Sequence, residues 1–466
     1  MDLKRLLNPK SIAIVGASDT PGKTGYIIFD LLRKSERVLY PVNPKKDSLF
    51  NFKAYKTIEE LPEGIDMAVL ATSARISVSA TKSCVEKGIP FVIIVAAGFS
   101  EIGLEGAELE RELRTIIQNT NTRILGPNSL GVFLPKEKID TIFVEHGDQA
   151  LSNGGGIATI VQSGSVGVEA LGYASNTGIG MRAFVGLGNK SDLNETDFLR
   201  HFSNDRDTNC LAFYLENIED GVEFLRLAKE ASIKKPVVIL KAGISASGAS
   251  AVASHTGKLA GSGEVVGGAF KQFGIQRVYD DEELCDAAKV LSLSKPAQGN
   301  RVAVITPAGG YGIMCTDYIE REDNRARLQM AQISETTKTR IRRETFDFAS
   351  VKNPIDITAS ADDRMFIASL DAMLDDPGVD IIICNAFFAP PGITDNLVPL
   401  ISQRSEITTK PILVFTNYGP YTDLHLKRFF EAGIPGFPSV NRVIRAARFL
   451  VERTDILNRR AAQFIF

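Results

Sequence analysis

At 466 residues the chain exceeds what one core ordinarily organises, so two to four domains are expected. Its 44% hydrophobic and 23% charged residues are those of a soluble globular protein, and a net charge of -3 gives no electrostatic case for nucleic acid or an anionic membrane surface. The five cysteines (Cys84, Cys210, Cys285, Cys315, Cys384) include no Cys-x-x-Cys pair, which argues against a disulfide framework or a zinc site and suits a reducing compartment.

No run of about 18 apolar residues is present for a membrane span, and the opening Met-Asp-Leu-Lys-Arg lacks a secretory pattern. A cytoplasmic location is expected. Short β-branched runs alternate with longer amphipathic segments almost throughout, the pattern of parallel sheets with crossover helices. The first strands are expected at Ser11–Val15, Val38–Pro41, Met67–Ala71, Phe91–Val95 and Arg123–Leu125, closing at the Gly126-Pro127-Asn128 turn near Val132. After the first strand comes Gly16-Ala17-Ser18-Asp19-Thr20-Pro21-Gly22-Lys23, leading into a helix expected over Tyr26–Arg33. A glycine turn between strand and helix brings backbone N–H groups to a phosphate, and the helix start adds about half a positive charge.

The second strand runs into Pro41-Val42-Asn43-Pro44-Lys45-Lys46. A nicotinamide module would carry Asp or Glu there for the ribose hydroxyls. A lysine suits an extra phosphate near the ribose, as in NADP or coenzyme A, which disfavours NAD and makes Lys45 a phosphate contact.

A connector containing Pro135 and Gly147 leads to a second module, with strands expected at Gly156–Val161, Arg182–Val185, Cys210–Leu215, Val237–Leu240 and Gln276–Val278. Its first turn, Gln162-Ser163-Gly164-Ser165, sets free amides and two hydroxyls at a helix start. This fits a small tetrahedral anion. Glu216 falls at the end of a strand, on the edge where doubly wound sheets bind ligands. His255 sits in a stretch from Ala242 to Ser262 that is mostly Gly, Ala and Ser, with little apolar side chain to bury, and is expected to behave as a mobile loop. An imidazole there is a nucleophile near neutral pH, and a carboxylate such as Glu216 on one ring nitrogen leaves the other free to attack.

Ser294-Lys295-Pro296-Ala297-Gln298-Gly299 reads as a linker to a third module beginning at Arg301–Thr306, with strands at Ile381–Cys384, Ile412–Phe415 and Gly436-Phe437. Its turn Pro307-Ala308-Gly309-Gly310-Tyr311-Gly312 serves either ligand binding or close backbone packing. The expected fold is α/β, three doubly wound modules: a Rossmann-like domain over residues 1–132 and two flavodoxin-like domains over 153–295 and 300–466.

Taken together these motifs resemble the α subunit of NDP-forming acyl-CoA synthetases, relatives of succinyl-CoA synthetase. The matching residues are Gly16-Ala17-Ser18 with Pro21-Gly22-Lys23, Gly126-Pro127-Asn128, Ser163-Gly164-Ser165, Val185-Gly186-Leu187-Gly188-Asn189-Lys190, Leu215-Glu216, His255-Thr256-Gly257 and Asn353-Pro354-Ile355-Asp356. They span nearly the whole chain in the family's order. The resemblance implies coenzyme A on the first domain, at Gly16, Ser18, Pro21, Gly22 and Lys23, with Asn43, Lys45 and Ala97. It implies inorganic phosphate at Ser163, Gly164 and Ser165, and a phosphohistidine at His255, oriented by Glu216. The ATP-grasp domain that binds ADP or ATP and Mg²⁺ is then expected on a separate β subunit, in an α2β2 assembly. The implied reaction is reversible: acyl-CoA, phosphate and ADP give the acid, CoA and ATP.

Three positions depart from the family pattern. Ser129 stands where Cys is common, Gly243-Ile244-Ser245 lacks a frequent Arg, and Asp19 places a negative charge near the expected pyrophosphate. An alternative from another class is a CoA- or acyl-CoA-binding regulatory protein with the same fold and no turnover. An NADP-dependent oxidoreductase would leave the histidine segment and the later modules unused.

Overall fold

A computed structural model describes residues 2–144, 154–177, 180–256, 263–321 and 328–463. The chain divides into two compact units, Met1–Ser175 with Gly180–Asp281, and Glu282–Phe466 with Asn176–Ile179.

Among the described residues the first unit holds two large sheets and a two-stranded one of Ser48–Leu49 and Phe52–Lys53. In the first, the parallel order is Val38–Val42, Ser11–Val15, Met67–Leu70, Phe91–Ile94, Arg123–Leu125. Past Ser11 its central strands are apolar throughout, Ile12, Ala13 and Ile14 being fully buried. That is how a parallel strand covered on both faces reads. The order reverses between Ser11–Val15 and Met67–Leu70, and doubly wound sheets bind ligands outside such a reversal.

The second sheet repeats the plan. Gly154–Val161 lies between Met181–Gly186 and Cys210–Leu215, followed outward by Val237–Lys241 and Gln276–Val278. Its reversal falls between Gly154–Val161 and Cys210–Leu215. Gly131–Leu134, placed by sequence at the close of the first module, instead pairs antiparallel with Met181–Gly186 in this sheet, Val132 opposite Val185. Residues 189–193 return the connection, since Ser191 N donates to Gly126 O at 3.0 Å and Leu193 N to Ile124 O at 3.0 Å. Arg123 Nε and Ile124 N both donate to the Asp192 carboxylate, at 2.7 and 2.8 Å. One core therefore runs through both modules, from Ile12 and Val69 to Ile160 and Phe213.

The segment expected as a loop around His255 is helical over Ala246–Thr256. Ala246, Ala249, Ala251 and Ala253 are strong helix formers that need no apolar face. Ser245 supplies the start, its Oγ accepting from Gly248 N at 3.0 Å. The shortage of bulky apolar side chains limits packing and leaves helix propensity intact. The His255 side chain and residues 257–262 lie outside the described residues.

In the second unit the order is Gln329–Met330, Arg301–Thr306, Ile381–Asn385, Ile412–Phe415, Gly436–Phe437, with Ile355–Asp356 added beside Arg301–Thr306. The helix Val440–Gln463 carries Arg442, which forks onto the buried Asp286 carboxylate at 2.7 and 2.6 Å. Gln329–Met330 and Ile355–Asp356 were not expected from sequence.

Candidate active site

The loops after the first sheet's strands carry the residues proposed for CoA. Gly16 adopts φ +88°, and a Cβ there would lie 2.4 Å from Ala71 O. A Cβ on Gly25, in the helix Thr24–Leu32, would lie 2.0 Å from Gly16 O. Only glycine permits this turn to fold against its own helix. Ser18 is buried and its Oγ accepts from Thr20 N at 3.0 Å, shaping the turn from within. Asn43 donates from Nδ2 to Ala17 O at 2.8 Å and accepts from Lys45 N at 2.8 Å, joining the loops after the first two strands.

Pro21, Gly22, Lys23, Lys45 and Ala97 are all exposed around this edge. Asp19, a concern for an anion nearby, is engaged by Lys46 Nζ at 2.9 Å, and that bond holds its carboxyl below the ordinary value. Backbone amides, a helix start and Lys23 and Lys45 fit a pyrophosphate and a ribose phosphate.

Ala97 lies in the loop after Phe91–Ile94, which continues to Ser100 and Glu101 at a cavity of about 140 Å³. Ser100, Glu101, Asn128, Ser129, Leu130, Phe143, Gln162, Ser163, Gly164, Gly188, Asn189 and Glu216 line it. The structure thus brings Ser163 and Gly164 together with Glu216. The helix Gly164–Thr177 starts at its wall, and Ser163 Oγ lies 3.0 Å from Ser165 Oγ, with Ser165 exposed. The first turn of a 14-residue helix carries backbone N–H groups without intrahelical partners, an arrangement that suits an anion.

Glu216 is buried, and both its backbone groups are held: N donates to Gln162 Oε1 at 2.9 Å, and its carbonyl accepts from Lys241 Nζ at 2.5 Å. Burial pushes the Lys241 ammonium down to about 8, with Lys190 adding to the shift and Glu216 opposing it. Burial likewise pushes the Tyr214 phenol up to about 12, reinforced by Glu216.

Sequence reasoning missed Glu101 and quoted Asn189 only within a matching motif, without a role. Glu101 accepts from Gly98 N at 2.6 Å, Phe99 N at 3.1 Å and Asn189 Nδ2 at 2.6 Å. Asn189 also reaches Glu110 Oε2 at 3.1 Å. The available signal was Gly98-Phe99-Ser100-Glu101 just beyond the strand Phe91–Ile94, on the ligand-binding edge. Behind the Glu216 loop, Lys190 and Glu195 pair at 3.0 Å with both side chains fully buried. No helix among the described residues is long and apolar enough to cross a membrane.

A Rossmann-like module with a glycine turn, fused to a flavodoxin-like module whose crossover holds a helix start and a buried carboxylate, is the architecture of a CoA-handling acid–thiol ligase. Residues 10–135 match the family described as CoA binding domain, and residues 154–291 match the succinyl-CoA ligase like flavodoxin domain. The chain is 36% identical over 456 residues to the α subunit of ADP-forming acetate–CoA ligase I of Pyrococcus furiosus, covering 96% of both chains. It is 34% identical over 456 residues to the α subunit of ligase II of the same organism, covering 97% and 98%. A solved structure of a dinucleotide forming acetyl-coenzyme A synthetase 1 from Ca. Korarchaeum cryptofilum, in complex with phosphate and ADP, superposes with a TM-score of 0.89 at 31% identity over 99% of each chain. The chain belongs to the family of ADP-forming acyl-CoA synthetase α subunits.

Proposed function

We propose that this α subunit works with an ATP-grasp β subunit to convert acyl-CoA, phosphate and ADP reversibly into a carboxylic acid, CoA and ATP. A phosphate oxygen attacks the thioester carbonyl, and the C–S bond breaks to release CoA as the thiol once protonated. The acyl phosphate formed gives its phosphoryl group to an imidazole nitrogen of His255, and the carboxylate leaves with the P–O bonding pair. Phosphohistidine then phosphorylates ADP, held with Mg²⁺ on the β subunit.

The observation that carries this reading is one cavity lined by both the Ser163–Gly164 helix start and Glu216, beside the CoA-type loops. Phosphoryl transfer needs positioning and charge stabilisation more than covalent help from the protein. The helix end contributes roughly 0.3–1 kcal/mol toward an anion when exposed and up to about 2 when partly buried. Glu216 orients the imidazole and stabilises its charged form. Gly16, Ser18, Pro21, Gly22, Lys23, Asn43, Lys45 and Ala97 hold CoA.

The test is incubation of the purified chain with acyl-CoA and ³²P-phosphate. An acid-labile, base-stable label is expected, absent in His255→Ala; retained label in that variant overturns the assignment of the carrier. Tight CoA binding with no label, even with a β subunit present, would favour the regulatory alternative instead.

A further inference from the structure

We infer that Gln162 is a positioning residue that locks Glu216 to the anion-binding helix start. The inference rests on the function proposed above. Gln162 is buried and directly precedes Ser163 and Gly164. The parallel strands Gly154–Val161 and Cys210–Leu215 end level, Val161 standing opposite Tyr214, and Gln162 N donates to Tyr214 O at 3.0 Å. Its side chain therefore reaches straight into the neighbouring loop.

One side-chain atom there receives two backbone amides, Glu216 N at 2.9 Å and Asn217 N at 3.2 Å. Two donors converging on one atom require it to be the oxygen. The amide nitrogen then donates to Asn217 Oδ1 at 2.7 Å. These three bonds tie the phosphate loop to the carboxylate loop across the sheet's reversal.

The far side of the Glu216 loop is equally fixed. Lys190 Nζ donates to Asn217 O at 2.9 Å, Asn217 Nδ2 to Glu219 Oε1 at 2.8 Å, and Glu219 N to Glu195 Oε1 at 2.6 Å. Buried polar networks of this kind specify one geometry when fully satisfied. Held on a rigid back, the Glu216 segment takes its distance from Ser163 and Gly164 through Gln162. Gln162 borders the cavity, but its side-chain bonds all go to Glu216 and Asn217, so it acts through Glu216.

The experiment is a double-mutant cycle on the full chain, read as the rate of ³²P labelling from acyl-CoA and phosphate. Gln162→Leu is expected to slow labelling by about tenfold to a hundredfold, the cost of moving a reacting group by roughly an ångström. Its CoA affinity should stay within about twofold, because the first sheet's loops are untouched. In a Glu216→Gln background the same change should cost less than about threefold, because the partner through which it acts is already disabled. Gln162→Glu retains an oxygen for both amides and should keep labelling well above the Leu variant.

Full additivity of the two changes, or equal losses for Leu and Glu at position 162, overturns the inference. If Gln162→Leu does not fold, the wild-type, Gln162→Glu and Glu216→Gln comparison still decides: an effect of Gln162→Glu that persists undiminished beside Glu216→Gln sinks it. A wild-type chain that takes no label overturns the underlying function and this inference together. Normal wild-type labelling with additive variants overturns this inference alone.

Discussion

Lys241 Nζ donates to the carbonyl oxygens of Glu216 and Ala242, at 2.5 and 2.6 Å, so a buried ammonium holds the end of one sheet loop against its neighbour. Burial lowers its pKa to about 8, against roughly 10.4 in an unfolded chain. Between those values the unfolded state binds the proton and the folded state does not. Stability contributed by this group therefore rises with pH across that window and is lost as pH falls through about 8. Urea unfolding of wild type and Lys241→Met from pH 7 to 11 should show the difference between them changing over this range. A constant difference would mean that the buried amine does not titrate there.

Gly16→Ala should be costly beyond its size. The residue sits at φ +88° with Ala71 O in the space of a Cβ. A strained backbone of this kind costs on the order of 1–3 kcal/mol, and the turn proposed to present amides to CoA must shift. Thermal unfolding should fall, and calorimetric CoA affinity should drop by about tenfold or more. Unchanged CoA binding would remove this turn from the CoA site.

Lys45→Ala should weaken CoA more than dephospho-CoA, because the exposed ammonium is proposed to face the ribose phosphate. Lys46→Ala instead strips the partner from Asp19, whose carboxyl the lysine holds low. It should weaken both ligands alike by placing an unscreened negative charge beside the proposed pyrophosphate site. Titrations with the two ligands separate these outcomes; equal losses in Lys45→Ala would exclude a 3′-phosphate contact.

Lys190→Met leaves the Glu195 carboxylate fully buried without its cation. Breaking one side of a buried pair typically costs about 3–5 kcal/mol. Lys190→Met with Glu195→Leu should recover much of that loss, since both charges are gone. Denaturant midpoints check this, and a double variant no better than the single one would show that the pair's other contacts dominate.

Much of the site was legible in residues alone. Gly16, Ser163–Gly164 and Glu216 announced themselves because each directly follows an apolar run, and strand ends are where such sheets bind ligands. The pairing of Glu101 with Asn189 escaped because it is a contact between residues 88 apart in the chain. The His255 segment was taken for a loop because its composition lacks apolar bulk. Its alanines form the helix Ala246–Thr256 with only Val252 as apolar bulk. Gly131–Leu134 carries no mark of which sheet it will join, since antiparallel pairing with Met181–Gly186 is a long-range choice.

The alternation of buried strands and crossover helices, and the glycine turns between them, were determined by the sequence itself, because apolar periodicity and positive φ are local properties of a few neighbouring residues. Which strands lie side by side was decided only in the tertiary structure. Setting Gly154–Val161 against Cys210–Leu215 brings Gln162 to the amide of Glu216 across 54 residues. Chain-closure entropy opposes so distant a pairing, and only the apolar area buried by the assembled sheet and its helices offsets it.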